Sequence, residues 1–327
     1  MKAIPPSLGS GEMEHIIIFH DECSFHANDY QSDNRLPDHA RVVICPTSKA
    51  TGDSYWNMEQ MITQLKTVLR MLQALYPNKK YVFIFDNSST HNSLAKDALT
   101  VTKMNVNPGG KQAHMHDTVI PANNPHGFGG QPQSMQFPNE LPSTHNQPKG
   151  MRVILEERGL VRPSEKIVGV CKDCKETRPK DCCMQRILSL QDDFKNEKSL
   201  LQKVIEEAGH VCLFLPKFHP ELNPIEMYWG WAKRYFRERS NSDFRTALKL
   251  VHEALDACPL TTIWKFFWRV YRYMSAYREG ATGLLAEYAV KQYKSHRAIT
   301  KKDLIEAEEK MKKRDAKEFA KGKDLAR

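Results

Sequence analysis

An α/β fold is predicted by three features of the sequence. The apolar runs "HIIIF" (residues 15–19), "RVVIC" (41–45) and "YVFIF" (81–85) have the length and the β-branched and aromatic content of buried strands. Between the second and third runs, Met58, Met61, Ile62, Leu65, Val68, Leu69, Leu72 and Leu75 recur at steps of three and four, the period of a helix with one apolar face. A fourth run, "HVCLFLP" (210–216), leads into "NPIEMYWGWAKRYF" (223–236), a turn followed by a helix. Strands interleaved with helices in this way build a sheet covered by helices.

Local chemistry marks the ends of these elements. Asn57 and Gln60 have capping-box spacing at the start of the first helix. Asn223 reads as an N-cap and Pro224 as the first helical residue, where its missing N–H costs nothing. Glu226 then falls in the first turn, where unpaired N–H groups and the positive end of the helix dipole favour a carboxylate. Two roles fit it at this point: folding back on Asn223 as a capping box, or meeting acids from elsewhere in the chain. A helix ending near Gly209 carries Leu200, Leu201, Val204, Ile205 and Ala208 on one face, and further amphipathic helices are expected around 243–257 and 261–278. Residues 106–150 are rich in Gly and Pro without an apolar period and read as a long loop or disordered insertion, before order returns at "MRVILEERGL". The expected division is a disordered N-terminus (1–14), the first part of the core (15–104), an insertion (105–196), the second part of the core (197–298) and a charged helix or tail (299–327).

The chain has 327 residues, 40% hydrophobic and 27% charged, an ordinary soluble composition. No window approaches the ~18 uninterrupted apolar residues of a membrane span, so no membrane partner is expected. The first residues lack the basic-then-apolar pattern of a signal peptide, so a reducing compartment is expected. Its eight cysteines are then expected as thiols or ligands. Net charge is +9, with much of the excess in residues 291–327, which suits a polyanionic partner or a solvated mixed-charge helix.

Three acids stand out by position. Asp21 follows the strand "HIIIFH", Asp86 follows "YVFIF", and Glu226 opens a helix. Carboxylates at the ends of neighbouring strands and at a helix start can converge on one point, where they would repel one another without a cation between them. Oxygen donors of this kind suit Mg²⁺ or Mn²⁺.

The segments "HDE", "FDNSSTH" and "FHPELNPIEMYWGWAKRY" together resemble the catalytic domain of mariner-like DDE transposases, and more closely a fungal branch with a long insertion between the second and third acids. The resemblance runs from about residue 15 to residue 298. It implies a ribonuclease-H-like mixed sheet flanked by helices and interrupted by that insertion, a nuclear location, DNA as partner and a homo-oligomer on DNA. It also implies that Asp21, Asp86 and Glu226 hold two Mg²⁺ or Mn²⁺ ions for phosphodiester cleavage and strand transfer. Glu221, in the "PEL" turn, is read as a turn or cap residue.

Several neighbours admit two roles. Asn87 and His91 suit orientation of substrate or of a metal-bound water, and equally a turn or helix cap. His20 and His219 read as hydrogen-bond partners of neighbouring groups. Tyr228, Trp229, Trp231, Tyr235 and Phe236 are expected mainly in the core, with one ring free to stack on a base. Lys233, Arg234, Arg237 and Arg239 suit phosphate contacts or a solvated helix end. Cys171, Cys174, Cys182 and Cys183 have the composition of a structural Zn²⁺ site, with a buried Cys183 or simple reactive thiols as alternatives.

A transposase catalytic domain is the reading the acid triad favours, against a plain metal-dependent nuclease and against a catalytically dead remnant or domesticated DNA-binding protein. Two expectations point toward impairment. Only twenty residues precede Asp21, too few for a helix-turn-helix region. A ribonuclease-H-like core also calls for three consecutive strands before its first helix, whereas "RVVIC" is the only apolar run between Glu22 and Asn57, so a strand is expected to have been lost between about Ala27 and Asp38.

Overall fold

The computed structural model describes residues 13, 15–20, 42–44, 56–138, 146–172, 179–241 and 244–324. In chain order the elements begin with β1 (His15–His20), α1 (Met58–Leu75), β2 (Lys80–Phe85) and the two-residue strands β3 (Thr118–Val119) and β4 (Pro132–Gln133). Next come α2 (Gly150–Glu157), α3 (Met184–Ser189), α4 (Asp192–Lys195), α5 (Leu200–Glu207) and β5 (Val211–Phe214). The remainder is helical: α6 (Pro224–Arg239), α7 (Phe244–Asp256), α8 (Leu260–Arg278), α9 (Gly283–Gln292) and α10 (Lys301–Asp324). Contacts divide the chain into one unit of residues 1–91 with 204–327, and a second of residues 92–203. The α/β class holds, and no described helix is long and apolar enough to cross a membrane.

The first unit is built on a parallel sheet in the order β1-β2-β5. Its central strand buries Tyr81, Phe83 and Phe85 on one face, the alternation that the two-residue period of a strand dictates. The Tyr81 hydroxyl lies 2.7 Å from the carbonyl of Leu72 and 2.8 Å from that of Tyr76, so it caps the last turn of α1. At its other end, α1 opens with the capping box read from the sequence: Asn57 accepts from the Gln60 N–H (3.1 Å) and the Gln60 side chain accepts from the Asn57 N–H (3.0 Å). Gly209, at φ +82°, stops α5 and turns the chain into β5, with the His210 N–H bonded to the Ile205 carbonyl.

Helices complete this unit. Ala232 and Phe236 of α6 bury against Ala247, Leu250, Val251, Ala254 and Leu255 of α7, with Tyr228, Trp229, Trp231 and Tyr235 half-buried around them. The aromatic residues of α6 are therefore chiefly core, as their density predicts. Tyr273 and Ala276 of α8 meet Ala286, Ala289 and Val290 of α9 and Leu304 and Ala307 of α10 in one buried cluster. "RVVIC" departs from its expected strand. Residues 42–44 have no regular structure, and Val43 packs on the α6–α7 cluster instead. The expected lost strand between Ala27 and Asp38 falls outside the described residues.

The second unit has its own core, formed by Leu99, Met115, Met135, Met151, Ile154, Leu155, Val161, Met184, Leu188 and Phe194. The described residues of 106–150 are loop-rich as expected, but they are not a bare loop: Met115, Ile120 and Met135 are buried. Gly150 starts α2 at φ +75°, and a Cβ there would come within 2.6 Å of the Asn107 backbone, so both conformation and space require glycine. At the far end of α2, the fully buried Arg158 forms a fork on Asp193 (3.0 and 2.6 Å) and donates to Gln133 (2.8 Å).

Candidate active site

Parallel pairing puts the carboxyl ends of β1, β2 and β5 at one end of the sheet, with His20 opposite Phe85 and Phe85 opposite Phe214. Ligand sites of open α/β sheets lie beyond such ends. Asp86 is the first residue past β2, the central strand. Its carboxylate is about a third exposed and accepts from Nδ1 of His91, which also lies 3.2 Å from the Asp86 carbonyl. His91 is buried against the Phe85 ring, with centroids 5.1 Å apart, and its N–H bonds the Ser88 hydroxyl at 3.2 Å. The "DNSSTH" turn thus wraps a buried imidazole behind Asp86 and fixes the direction of its carboxylate.

Glu226 is exposed in the first turn of α6. Asn223 and Pro224 start the helix as read from the sequence, and the Asn223 side chain accepts from the Ile225 N–H at 3.3 Å. The Asn223 N–H, which a capping-box glutamate would bind, is taken by the Pro220 carbonyl at 3.0 Å. The capping box is therefore not formed, and the Glu226 carboxylate remains available at the positive end of the α6 dipole. Helix α6 packs on β1, the strand that Asp21 follows in sequence. Asp21 itself lies outside the described residues, as does the His20 side chain.

The turn before α6 is held by a network in which His219 is a hydrogen-bond partner, as its place beside Glu221 suggests, and Tyr277 of α8 is the member that no local pattern signals. Glu221 accepts from the Tyr277 hydroxyl (2.6 Å) on α8 and from Nδ1 of His219 (2.7 Å), whose ring meets Tyr277 edge-on. Burial alone would raise the Glu221 carboxyl, but the bonds from Tyr277 and His219 outweigh it and hold the pKa below its ordinary value. Burial, followed by the bond to Glu221, pushes the Tyr277 hydroxyl well up. A carboxylate with a depressed pKa adds stability that is present above its unfolded pKa and is lost as pH falls through the folded value. Tyr277→Phe is expected to cost about 1.5 kcal/mol at neutral pH, the lower end for a hydrogen bond to a charged group because Glu221 is partly solvated. The loss should shrink as the pH is lowered through the carboxylate range, which urea unfolding at pH 7 and pH 3 will measure.

Sequence reasoning also passed over Phe218. It is 95% exposed and sits at φ 66°, a left-handed conformation unusual for a bulky residue, in the loop between β5 and α6. Further along α6, Lys233 is partly exposed and Arg234 and Arg237 are exposed, while the Arg239 guanidinium stacks 3.8 Å from the centre of the Tyr235 ring.

The cysteines make a separate centre in the second unit. The sulfurs of Cys171, Cys182 and Cys183 lie within 4.8 Å of one another, the one such group of metal-binding side chains among the described residues. Cys183 is fully buried at the N-cap of α3. Cys174 lies outside the described residues.

Residues 171–249 match the family described as DDE superfamily endonuclease. This match supports a DDE transposase-type domain. The matched DDE-type stretch contains Glu226, Lys233, Arg234 and the three clustered cysteines, whereas Asp21 and Asp86 precede it. No curated protein and no solved structure matches the chain.

Proposed function

We propose that this chain is the catalytic domain of a mariner-like DDE transposase of the fungal type, on a ribonuclease-H-like core, cutting and joining DNA phosphodiesters in the nucleus as a homo-oligomer. The observation that carries this reading is the unused Glu226 carboxylate in the first turn of α6, inside the stretch that matches a DDE endonuclease. Asp86, past the central strand, supplies the second acid, and Asp21 is assigned from its place after β1 in the sequence.

The donor set fits Mg²⁺ or Mn²⁺, since the described acids offer oxygen atoms and the Cys cluster belongs to the other unit. When bound, such ions polarise phosphoryl oxygens and make water a stronger nucleophile. The protein's own contributions are positional. His91 holds the Asp86 carboxylate, the Glu221–Tyr277 bond holds the turn that delivers Glu226, and Phe218 offers an exposed ring for stacking on a base. Lys233 and Arg234 offer phosphate contacts further along α6. Asn87 borders Asp86, where it suits orientation of substrate.

The test is cleavage of labelled duplex DNA by the purified chain in Mn²⁺ or Mg²⁺. Nicking that is abolished by EDTA and restored by either ion supports the assignment; metal-independent nicking contradicts it. A silent, DNA-binding remnant is the second reading, favoured by the exposure of Ile17 (59%) on β1, which among the described residues pairs with β2 alone. That reading predicts DNA binding without nicking, and recovery of nicking when residues 27–38 are replaced by the corresponding segment of a full-length relative.

The cysteine cluster we assign to structural Zn²⁺, with Cys174 as the fourth donor. A tetrahedral thiolate set at Zn–S about 2.3 Å spaces its sulfurs by about 3.8 Å, so the three described thiols need only small side-chain rotations. Reduced protein is expected to carry about one Zn²⁺ per chain by elemental analysis, and Cys171→Ser with Cys174→Ser should lose it. Zinc content unchanged in that variant would remove the assignment.

A further inference from the structure

Helices α8 and α9 frame a groove of about 580 Å³ that shares no lining residue with the acid site. Its walls are strongly cationic. Lys265, Arg269 and Arg272 come from α8, Lys291 from α9 and Lys294 from the segment after it. Lysines on a surface are ordinary, but Arg272 is not on the surface: it is only 8% exposed. Its Nη1 donates to the Ser295 carbonyl at 2.9 Å, while its Nε is buried without a hydrogen-bond partner. Among the described residues no carboxylate forms an ion pair with it, and Glu287 on α9 is engaged by Lys291 at 2.5 Å. Burial, and then the charge of Arg269, pulls the Arg272 pKa down.

A guanidinium held in the protein with donor capacity left over and no acid beside it is costly, and an anion reaching it from the groove would offset that cost. The α8 cations recur at i, i+4 and i+7, a stripe about 10 Å long at 1.5 Å per residue. That length suits successive groups of an extended polyanion better than one small ion. At the groove edge, Trp268 is 39% exposed and meets His296 edge-on at 5.9 Å, giving a flat apolar surface beside the charges.

We propose that this groove is a second DNA contact, binding the phosphate backbone with Arg272 as its buried anchor and Trp268 against the sugar–base edge. The proposal rests on the reading of the chain as a DNA-acting protein. It places a strand of DNA across α8 and α9 independently of the acids, so it holds for an active enzyme and for a silent remnant alike.

The test is fluorescence anisotropy of the full chain with a labelled duplex in EDTA, where cleavage plays no part, over about 50 to 300 mM salt. Lys265→Glu combined with Lys294→Glu is expected to weaken binding at least about tenfold and to lower the slope of log K against log salt by about two. Lys301→Glu with Lys313→Glu on α10, the same change of net charge elsewhere, should cost less than about a third of that loss. Arg272→Met should weaken binding while leaving the melting temperature equal or higher, because it removes a buried charge that lacks a partner. If Arg272→Met fails to fold, the two double variants decide. Equal losses in both doubles, or unchanged binding by the groove double, would overturn the groove and leave the DNA-acting reading standing. No binding by the unsubstituted chain would overturn both.

Discussion

Glu226→Gln is expected to lower metal-dependent nicking by at least about 10³-fold, some 4 kcal/mol of transition-state stabilisation, while unfolding is unchanged. The two halves of this expectation follow from one geometry. The Glu226 side chain caps nothing, because the Asn223 N–H is already bonded to the Pro220 carbonyl, so its removal leaves α6 with its N-cap and its Pro224 start intact. What is lost is charge at the position where an anionic donor is needed. Gln keeps the shape and one oxygen but not the negative charge. His91→Asn provides a graded comparison: with Asp86 still present but no longer held by the imidazole, activity should fall about 10- to 100-fold, the usual cost of losing a group that orients a ligand. Wild-type activity in Glu226→Gln would contradict the assignment of the third acid.

The largest stability effect is expected at Arg158. Arg158→Met should destabilise the second unit by about 3 to 5 kcal/mol, because it strands the Asp193 carboxylate, 10% exposed, in a protein interior. Thr118 would still donate to Asp193 at 3.1 Å, too little to replace a two-pronged guanidinium. Gln133 would also lose the donor to its side-chain oxygen, and the Phe194 ring the cation at 5.4 Å from its centre. Arg158→Met with Asp193→Leu should recover much of the loss, since a matched apolar pair leaves no charge without a partner. Urea unfolding followed by far-UV circular dichroism, which reports the helices of a unit that has no Trp or Tyr, measures all three forms. A double variant as unstable as the single would show that the site cannot be repacked.

What could be read in advance was chemistry between near neighbours. The Asn57–Gln60 capping box, the Asn223–Pro224 helix start and the strands preceding Asp86 and α6 are each specified within a few residues, and each was legible. "RVVIC" departs from a strand because an apolar run does not say which element it will meet: Val42 stays exposed, and the half-buried Val43 packs on α6 and α7 from far along the chain. The core of the second unit was hidden for a related reason. Met115, Ile120 and Met135 lie on irregular backbone, where no helix or strand period relates one buried residue to the next. Arg158, in "EERGL", looks like the solvated end of a helix until Asp193 is placed beside it. The bond of Glu221 to Tyr277 and the burial of Arg272 depend likewise on helices that meet only in the folded chain.

The pairing of β2 with β5 sets a kinetic problem. Val82 must find Val211 although all of residues 92–203 lie between them, and parallel pairing across so long a stretch forms slowly because the chain entropy of closing the loop is lost before the contacts form. The intervening stretch eases this by having a core of its own. Once it has collapsed, the ends at 91 and 204 are joined by a compact body rather than by a long coil, and the closure costs less. Folding should thus begin in the middle of the chain and finish at the sheet, so a lesion such as Arg158→Met would slow assembly of the Asp86 and Glu226 strand–helix frame without touching it.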